Sequence, residues 1–234
     1  MMLDTVSECK DKILLIDLDG VLVTEGSGDT KIGFEIIAIH EQLTEQLASI
    51  KMPIALLTHR SRGEALQIIS ALGLSNFNFA AIFTANDLFI NGLRYKGLSF
   101  LLRNGSRKSI ILSQIENMFN IPAVNVALID DRLCNIEDLL EAGAGLGLCA
   151  PAAKLSEGRQ LQAFDLGAAF EKVHHWCQQG SHSDSIIHLE PVTSKLHSAA
   201  NTGIIMKRDW NDFYGLTRSG FRHGRQLFLK LIAK

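Results

Sequence analysis

The chain has 234 residues, 47% of them hydrophobic, enough to build one globular domain around a packed core. Its 23 Lys and Arg against 25 Asp and Glu leave a formal charge of −2, which excludes a global pull toward nucleic acid or an anionic membrane, so any such partner must be met by a local patch. No apolar run approaches the roughly 18 to 20 residues needed to span a bilayer. Four cysteines without CxxC spacing, behind an N-terminus that lacks a basic and then apolar leader, predict a reduced, cytoplasmic protein.

Short apolar runs alternate with longer stretches of helical period. That pattern predicts an α/β chain: a three-layer, Rossmann-like parallel sheet with helices on both faces. The run Ile13 to Ile16 is the first strand and leads into Asp17 and Asp19. Over residues 34–50, Ile36, Ile39, Leu43, Leu47 and Ile50 recur in steps of three and four and predict one helix, ended by Met52 and Pro53. A second strand from Ile54 runs into Thr58, and residues 61–72 read as a helix stopped at Gly73.

Phe79 to Thr84 predicts a third strand, and LFINGLRY, Leu88 to Tyr95, predicts a short hairpin around Asn91 and Gly92. Ser106 reads as the cap of a helix carrying Ile110, Ile111, Ile115 and Met118. The fourth strand begins at Val126 and ends in Asp130 and Asp131; a helix over NIEDLLEAG and a strand near Leu146 to Cys149 complete a doubly wound sheet. One more helix is predicted over Leu161 to Gln178, GSHSDS reads as a linker, and the rest shows little periodicity. The division expected is a core over residues 1–180 and a linker with a basic C-terminal tail over 181–234. The end of that tail, SGFRHGRQLFLKLIAK, is compatible with a basic amphipathic helix.

Two acidic pairs therefore fall at strand ends, the edge at which open parallel sheets bind ligands. Four carboxylates converging there repel one another unless a cation neutralises them, and hard oxygen donors at a partly hydrated site favour Mg²⁺, with a phosphoryl oxygen sharing its shell. Taken singly the residues have plainer readings. DxDG recurs in turns, Thr58 alone reads as a helix cap, and Lys108 alone as a solvated helix residue. Val21 stands where an EF-hand loop needs a ligand, GAGLGLC lies between helix and strand in the reverse of a dinucleotide fingerprint, and His174 and His175 lack partners at ligand spacing.

Taken in order, the motifs resemble the haloacid dehalogenase-like (HAD) superfamily over about residues 12 to 150. Asp17, Leu18, Asp19 and Gly20 match its DxDG motif, Thr58 its Ser or Thr at the next strand end, Lys108 its lysine, with Lys96 a poorer candidate, and Asp130 and Asp131 its acidic pair. Asn135 stands where many members carry a further Asp. The resemblance implies an enzyme, a phosphoric monoester hydrolase, in which Asp17 is the nucleophile, Asp19 the proton shuttle, and Thr58 and Lys108 the phosphoryl-binding groups. It implies Mg²⁺ held by Asp17, the backbone carbonyl of Asp19, Asp130 and Asp131.

His59, Arg60 and Arg62 follow Thr58 closely enough to reach an anionic group of the substrate, although ordinary loop charge accounts for them equally well. Neither gap between the motifs has room for a full cap of some 60 residues, so by resemblance the site is open, suited to a large phosphorylated substrate or closed by another subunit. A homo-oligomer and a nucleic-acid or protein partner stay open. The alternative is a non-catalytic protein that keeps the HAD fold and binds or regulates through its basic tail.

Overall fold

The computed structural model describes residues 9–25, 33–156, 160–179, 186–195 and 204–207. The chain begins with β1 (Ile13–Ile16), β2 (Val23–Glu25), β3 (Gly33–Ala38), α1 (Leu43–Ser49) and β4 (Ile54–Leu57). Next come α2 (Arg62–Ala71), β5 (Ala81–Phe83), α3 (Ala85–Asn91), a π-helical turn Gly92–Lys96 and α4 (Leu98–Asn104). A 3₁₀ turn Lys108–Ile111 leads into α5 (Leu112–Phe119), followed by β6 (Val126–Asp130), α6 (Leu133–Glu141) and β7 (Leu146–Cys149). The remainder is β8 (Lys154–Ser156), β9 (Gln160–Phe164), α7 (Leu166–Gln179), β10 (Ile186–His188), β11 (Pro191–Lys195) and β12 (Ile204–Lys207).

The centre is a six-stranded sheet of order β10-β7-β6-β1-β4-β5, every pair parallel. Because strand side chains alternate in direction, β1 sends Leu14 and Ile16 to one face and Ile13 and Leu15 to the other, all fully buried. On the first face they meet Leu47 of α1, Ala65 and Ile68 of α2, and Ala169 and Val173 of α7. On the second they meet Leu88 of α3, Leu112 and Ile115 of α5, and Ile136 and Leu139 of α6. The result is the expected three-layer α/β arrangement. The chain leaves β1 toward β4 and β5, then returns to the other side of β1 with β6, which makes the β1/β6 boundary the switch point of the winding.

Two antiparallel sheets of three strands are added, β12-β3-β2 and β11-β9-β8. Lys12, just ahead of β1, is 5% exposed and ties the start of the sheet to α7. Its ammonium donates to the carbonyls of Trp176 at 3.1 Å and Cys177 at 3.4 Å, and lies 4.2 Å from the Trp176 ring centre. Those carbonyls belong to the last turn of α7, where a helix leaves acceptors unpaired and a cation is favourable.

The structure corrects several local expectations. Residues 34–50 are not one helix: β3 takes 33–38 and helix begins only at Leu43. Ile36 lies between Glu25 of β2 and Ile204 of β12, so the strand is set by partners on other strands, one of them far along the chain, that no local period reveals. The hairpin expected at Leu88 to Tyr95 is the end of α3 and the π turn. Thr84 starts that helix, its N–H donated to the Asp87 carboxylate at 2.8 Å, and Gly92 has helical φ of −58°. A Cβ at Gly92 would lie 2.4 Å from Leu101 Cδ2, so this glycine permits close helix packing and turns no hairpin.

The segment after Ser106 opens as a 3₁₀ turn whose N-cap residue, Arg107, makes no side-chain capping bond, and the helix expected over 161–178 divides into β9 and α7. Beyond residue 180, β10 joins the central sheet, β11 pairs with β9 and β12 with β3. GSHSDS and the basic amphipathic helix expected near the C-terminus lie outside the described residues.

His40 joins the added sheets. Its Nε2 bonds the Val21 carbonyl at 2.9 Å, and its ring meets Phe164 of β9 edge-on at 4.9 Å. Burial lowers its pKa to about 4, against smaller raising effects of the Val21 bond and Asp165. The folded state therefore favours neutral His40. Above the unfolded value, ~6.5, neither state is protonated and stability is unaffected; between ~6.5 and about 4 the unfolded chain binds the proton first and stability falls as pH falls. Denaturant unfolding from pH 8 to pH 4 should show this loss, and His40→Gln should show less pH dependence in that window; an identical slope in the variant would assign the loss to other groups.

Candidate active site

The registers that build the sheet also assemble the site. Ile16 pairs with Leu56 of β4 and with Ile129 of β6, so one step further Asp17 lies beside Asp130, and Thr58 leaves the sheet just beyond Leu57. The Asp17 N–H donates to the Ile129 carbonyl at 3.0 Å, and the Thr58 N–H to Phe83 at 3.0 Å, which extends the ladder to these residues.

Lys108 enters from the 3₁₀ turn before α5. Asp138 of α6 fixes that turn by accepting the Ser109 N–H at 3.0 Å and the Arg107 guanidinium at 3.1 Å. The Lys108 ammonium is 1% exposed as a residue and makes three contacts: Asp17 Oδ1 at 3.0 Å, Asp130 Oδ2 at 2.6 Å and the Leu57 carbonyl at 2.9 Å. Its three donors are thereby matched to three acceptors. Burial works to lower its pKa, but Asp17 and Asp130 outweigh burial and hold it above the ordinary lysine range. Lys96, the weaker sequence candidate, is exposed on the π turn.

The carboxylates are crowded. Asp17, Asp130 and Asp131 each offer an oxygen within 4.8 Å of the others, with Asp130 fully buried. Like charges at that separation repel by on the order of 3 kcal/mol per pair at an effective dielectric of 20. Asp17 is pushed up to about 8, first by burial, with Lys108 opposing and Asp130 and Asp19 adding. Asp131 is also raised, by burial and then by Asp130. One ammonium against three carboxylates leaves the cluster electron-rich, and its all-oxygen donor set suits a hard divalent cation.

Several contacts were outside the reach of motif reading. Gly20 has φ of +78°, and a Cβ there would lie 2.2 Å from Asp131 Oδ2, so the glycine of DLDG leaves space for the second acid of the later pair. Asn135 is not a missing acid: its Nδ2 donates to both Asp130 oxygens at 3.0 Å, while the Arg132 N–H holds Oδ1 at 2.8 Å. The five-residue spacing from Asp130, one turn into α6, is the signal that points to it. Ser61, whose Oγ accepts the Glu64 N–H at 3.1 Å, caps α2, which leaves Thr58 without a capping task.

Asp19 stands apart from the three-acid cluster. Both of its oxygens accept from Arg60: Nε reaches them at 3.1 and 3.0 Å, and Nη2 reaches Oδ1 at 2.7 Å. Arg60 in turn donates its backbone N–H to Thr58 Oγ1 at 3.0 Å. His59 is half-buried on the same loop, and Arg62 is exposed.

No family model and no curated protein matches the chain. Among solved structures, it is similar to a HAD family hydrolase from Deinococcus radiodurans R1 with bound phosphate and sodium, at 16% identity and a TM-score of 0.40, over 71% of this chain and 89% of that one. It is also similar to a 3-deoxy-D-manno-octulosonate 8-phosphate phosphatase from Moraxella catarrhalis, in complex with magnesium, phosphate and KDO, at 19% identity and a TM-score of 0.36, over 63% and 74%. At those scores the likeness is loose, and the chemistry of the site stands on its own residues.

Removing Lys108 would leave two buried carboxylates uncompensated. Without added divalent cation, Lys108→Met should lower unfolding free energy by about 3–5 kcal/mol near neutral pH. Chemical denaturation measures this, and a loss below about 1 kcal/mol would show that the lysine is not the counter-ion holding Asp17 and Asp130 together.

Proposed function

We propose that the chain is a HAD-like, Mg²⁺-dependent phosphatase that hydrolyses a phosphate monoester through an aspartyl phosphate. The observation that carries this reading is the junction of Asp17, Asp130, Asp131 and Lys108 at the switch point of the sheet, with buried Thr58 ending the next strand. Asp17, the backbone carbonyl of Asp19, Asp130 and Asp131 would hold the cation. When bound, Mg²⁺ offsets the charge of the phosphoryl oxygens and of the acids around them.

The residues of the chain then divide the chemistry. An oxygen of Asp17 bonds to phosphorus while the bond from phosphorus to the alcohol oxygen breaks, and Asp19 gives that oxygen a proton. Water next attacks phosphorus, Asp19 takes its proton, and the bond between phosphorus and Asp17 breaks to release phosphate. The Thr58 hydroxyl holds a phosphoryl oxygen. Lys108 has all three donors engaged, so its first task is to orient Asp17, and it reaches a phosphoryl oxygen by exchanging one of those bonds.

With Mg²⁺ present, the protein should hydrolyse a simple aryl phosphate. A chelator should abolish turnover, added Mg²⁺ should restore it, and Asp17→Asn should reduce it on the order of 10³-fold or more. Turnover that survives both chelation and the Asn variant would refute the reading, as would inactivity on a broad panel of phosphate monoesters by protein that binds Mg²⁺.

A further inference from the structure

No spacing in the sequence pairs any of the four cysteines, yet the fold brings two of them together. Cys9 stands just ahead of β1, and its N–H donates to the carbonyl of Lys51, just ahead of β4, at 3.2 Å. Cys177 lies in the last turn of α7, which Lys12 draws against the same edge of the sheet through its bonds to the Trp176 and Cys177 carbonyls. The two thiols hydrogen-bond to each other. Both are half-buried, and both line one cavity of about 520 Å³ whose wall includes Lys51, His174 and Gln178. A small reagent can therefore reach the pair. This is the edge where the strands begin, opposite the edge that carries Asp17 and Asp130, so a bond made here leaves the acids and Lys108 in place.

The surroundings give the two sulfurs unequal roles. Burial first, then the hydrogen bond and the charge of Cys9, push the Cys177 thiol up to about 12, with the Lys12 ammonium opposing. Cys177 therefore keeps its proton while Cys9 stands beside it as a thiol, which leaves Cys9 to react first. Once the Cys9 sulfur is bonded to another sulfur, its charge no longer holds the proton on Cys177, and Lys12 remains to favour the thiolate.

We propose that Cys9 and Cys177 form a reversible disulfide that staples the start of β1 to the end of α7. The oxidant is a low-molecular-weight disulfide. The Cys9 thiolate bonds to one of its sulfurs, its S–S bond breaks, and the first small thiolate leaves. The Cys177 thiolate then bonds to the Cys9 sulfur and displaces the second. The two protein thiols lose two electrons, the small disulfide gains them, and the two protons pass to the departing thiolates. The loop closed runs from residue 9 to residue 177 and spans most of the central sheet, and closing a long loop restricts the unfolded chain most.

Native protein treated with oxidised glutathione, alkylated and digested without reduction should give, by mass spectrometry, two peptides joined through Cys9 and Cys177. Dithiothreitol should return both thiols. Cys134, exposed on α6, should carry glutathione and no cross-link, which shows that the reagent has reacted. The cross-linked form should unfold about 5–15 °C above the reduced one. Cys9→Ser and Cys177→Ser should each abolish both the link and the shift. Thiols that persist at Cys9 and Cys177 while Cys134 is modified, separate glutathione adducts on the two, or a link that forms only in denaturant would overturn the pairing. A link that leaves the unfolding temperature unchanged would overturn the staple. Both readouts are independent of turnover, so the pairing stands or falls apart from the phosphatase reading.

Discussion

An ammonium buried among two carboxylates and a carbonyl sets the terms for the rest of this structure. Lys108 contacts Asp17 at the end of β1, Asp130 at the end of β6 and the Leu57 carbonyl at the end of β4. Three strands and the turn before α5 must therefore arrive in one register. A slip of one residue in any pair would invert that strand's side chains and leave a charge buried without its partner. The apolar faces of β1, β4 and β6 drive the sheet together, but the charged end selects which alignment it adopts. Asp138 extends the same requirement to α6 by fixing Arg107 and Ser109 on either side of the lysine.

The sequence was legible wherever a residue's environment follows from its neighbours. Runs such as Ile13 to Ile16 and Val126 to Ile129 are buried on both faces, and the acids that follow them have nowhere to go but the sheet edge. Thr58 and Lys108 were singled out only through the resemblance to the HAD motifs; taken alone they read as a helix cap and a solvated helix residue. Legibility failed where a distant segment decides. β3 is a strand because it pairs with β2 on one side and with β12, more than 160 residues later, on the other. β9 is one because it lies between β8 and β11. At Asn91 and Gly92 the dipeptide suggested a turn, but Gly92 serves the approach of Leu101.

The finer design of the site was hidden for the same reason. A motif names residue types at fixed spacing, whereas Gly20 is needed for Asp131 across more than a hundred positions, and Arg60 reaches back 41 residues to Asp19. These contacts divide the two acids of DLDG more sharply than spacing does. Asp17 is embedded with a buried counter-ion and two neighbouring acids, while Asp19 sits at a half-open rim under a guanidinium. Burial thus separates an enclosed, electron-rich floor from a partly exposed edge within three residues of chain.

The segment that follows Asp19 is held from the opposite end of the protein. β2 and β3 alone would form a two-stranded hairpin, marginal in water, and β12 makes it a three-stranded sheet. His40 then links this flap through Phe164 to the sheet of β8, β9 and β11, while β10 occupies one edge of the central sheet. The strands described beyond residue 180, β10, β11 and β12, are consequently structural. Cutting after Gly180 would remove a strand from each of the three sheets, so loss of activity in such a truncation could not be assigned to the basic residues near the C-terminus. Charge reversal beyond Lys207 keeps the residues of β10, β11 and β12 in the chain, which makes it the cleaner way to ask whether those basic residues have a task of their own.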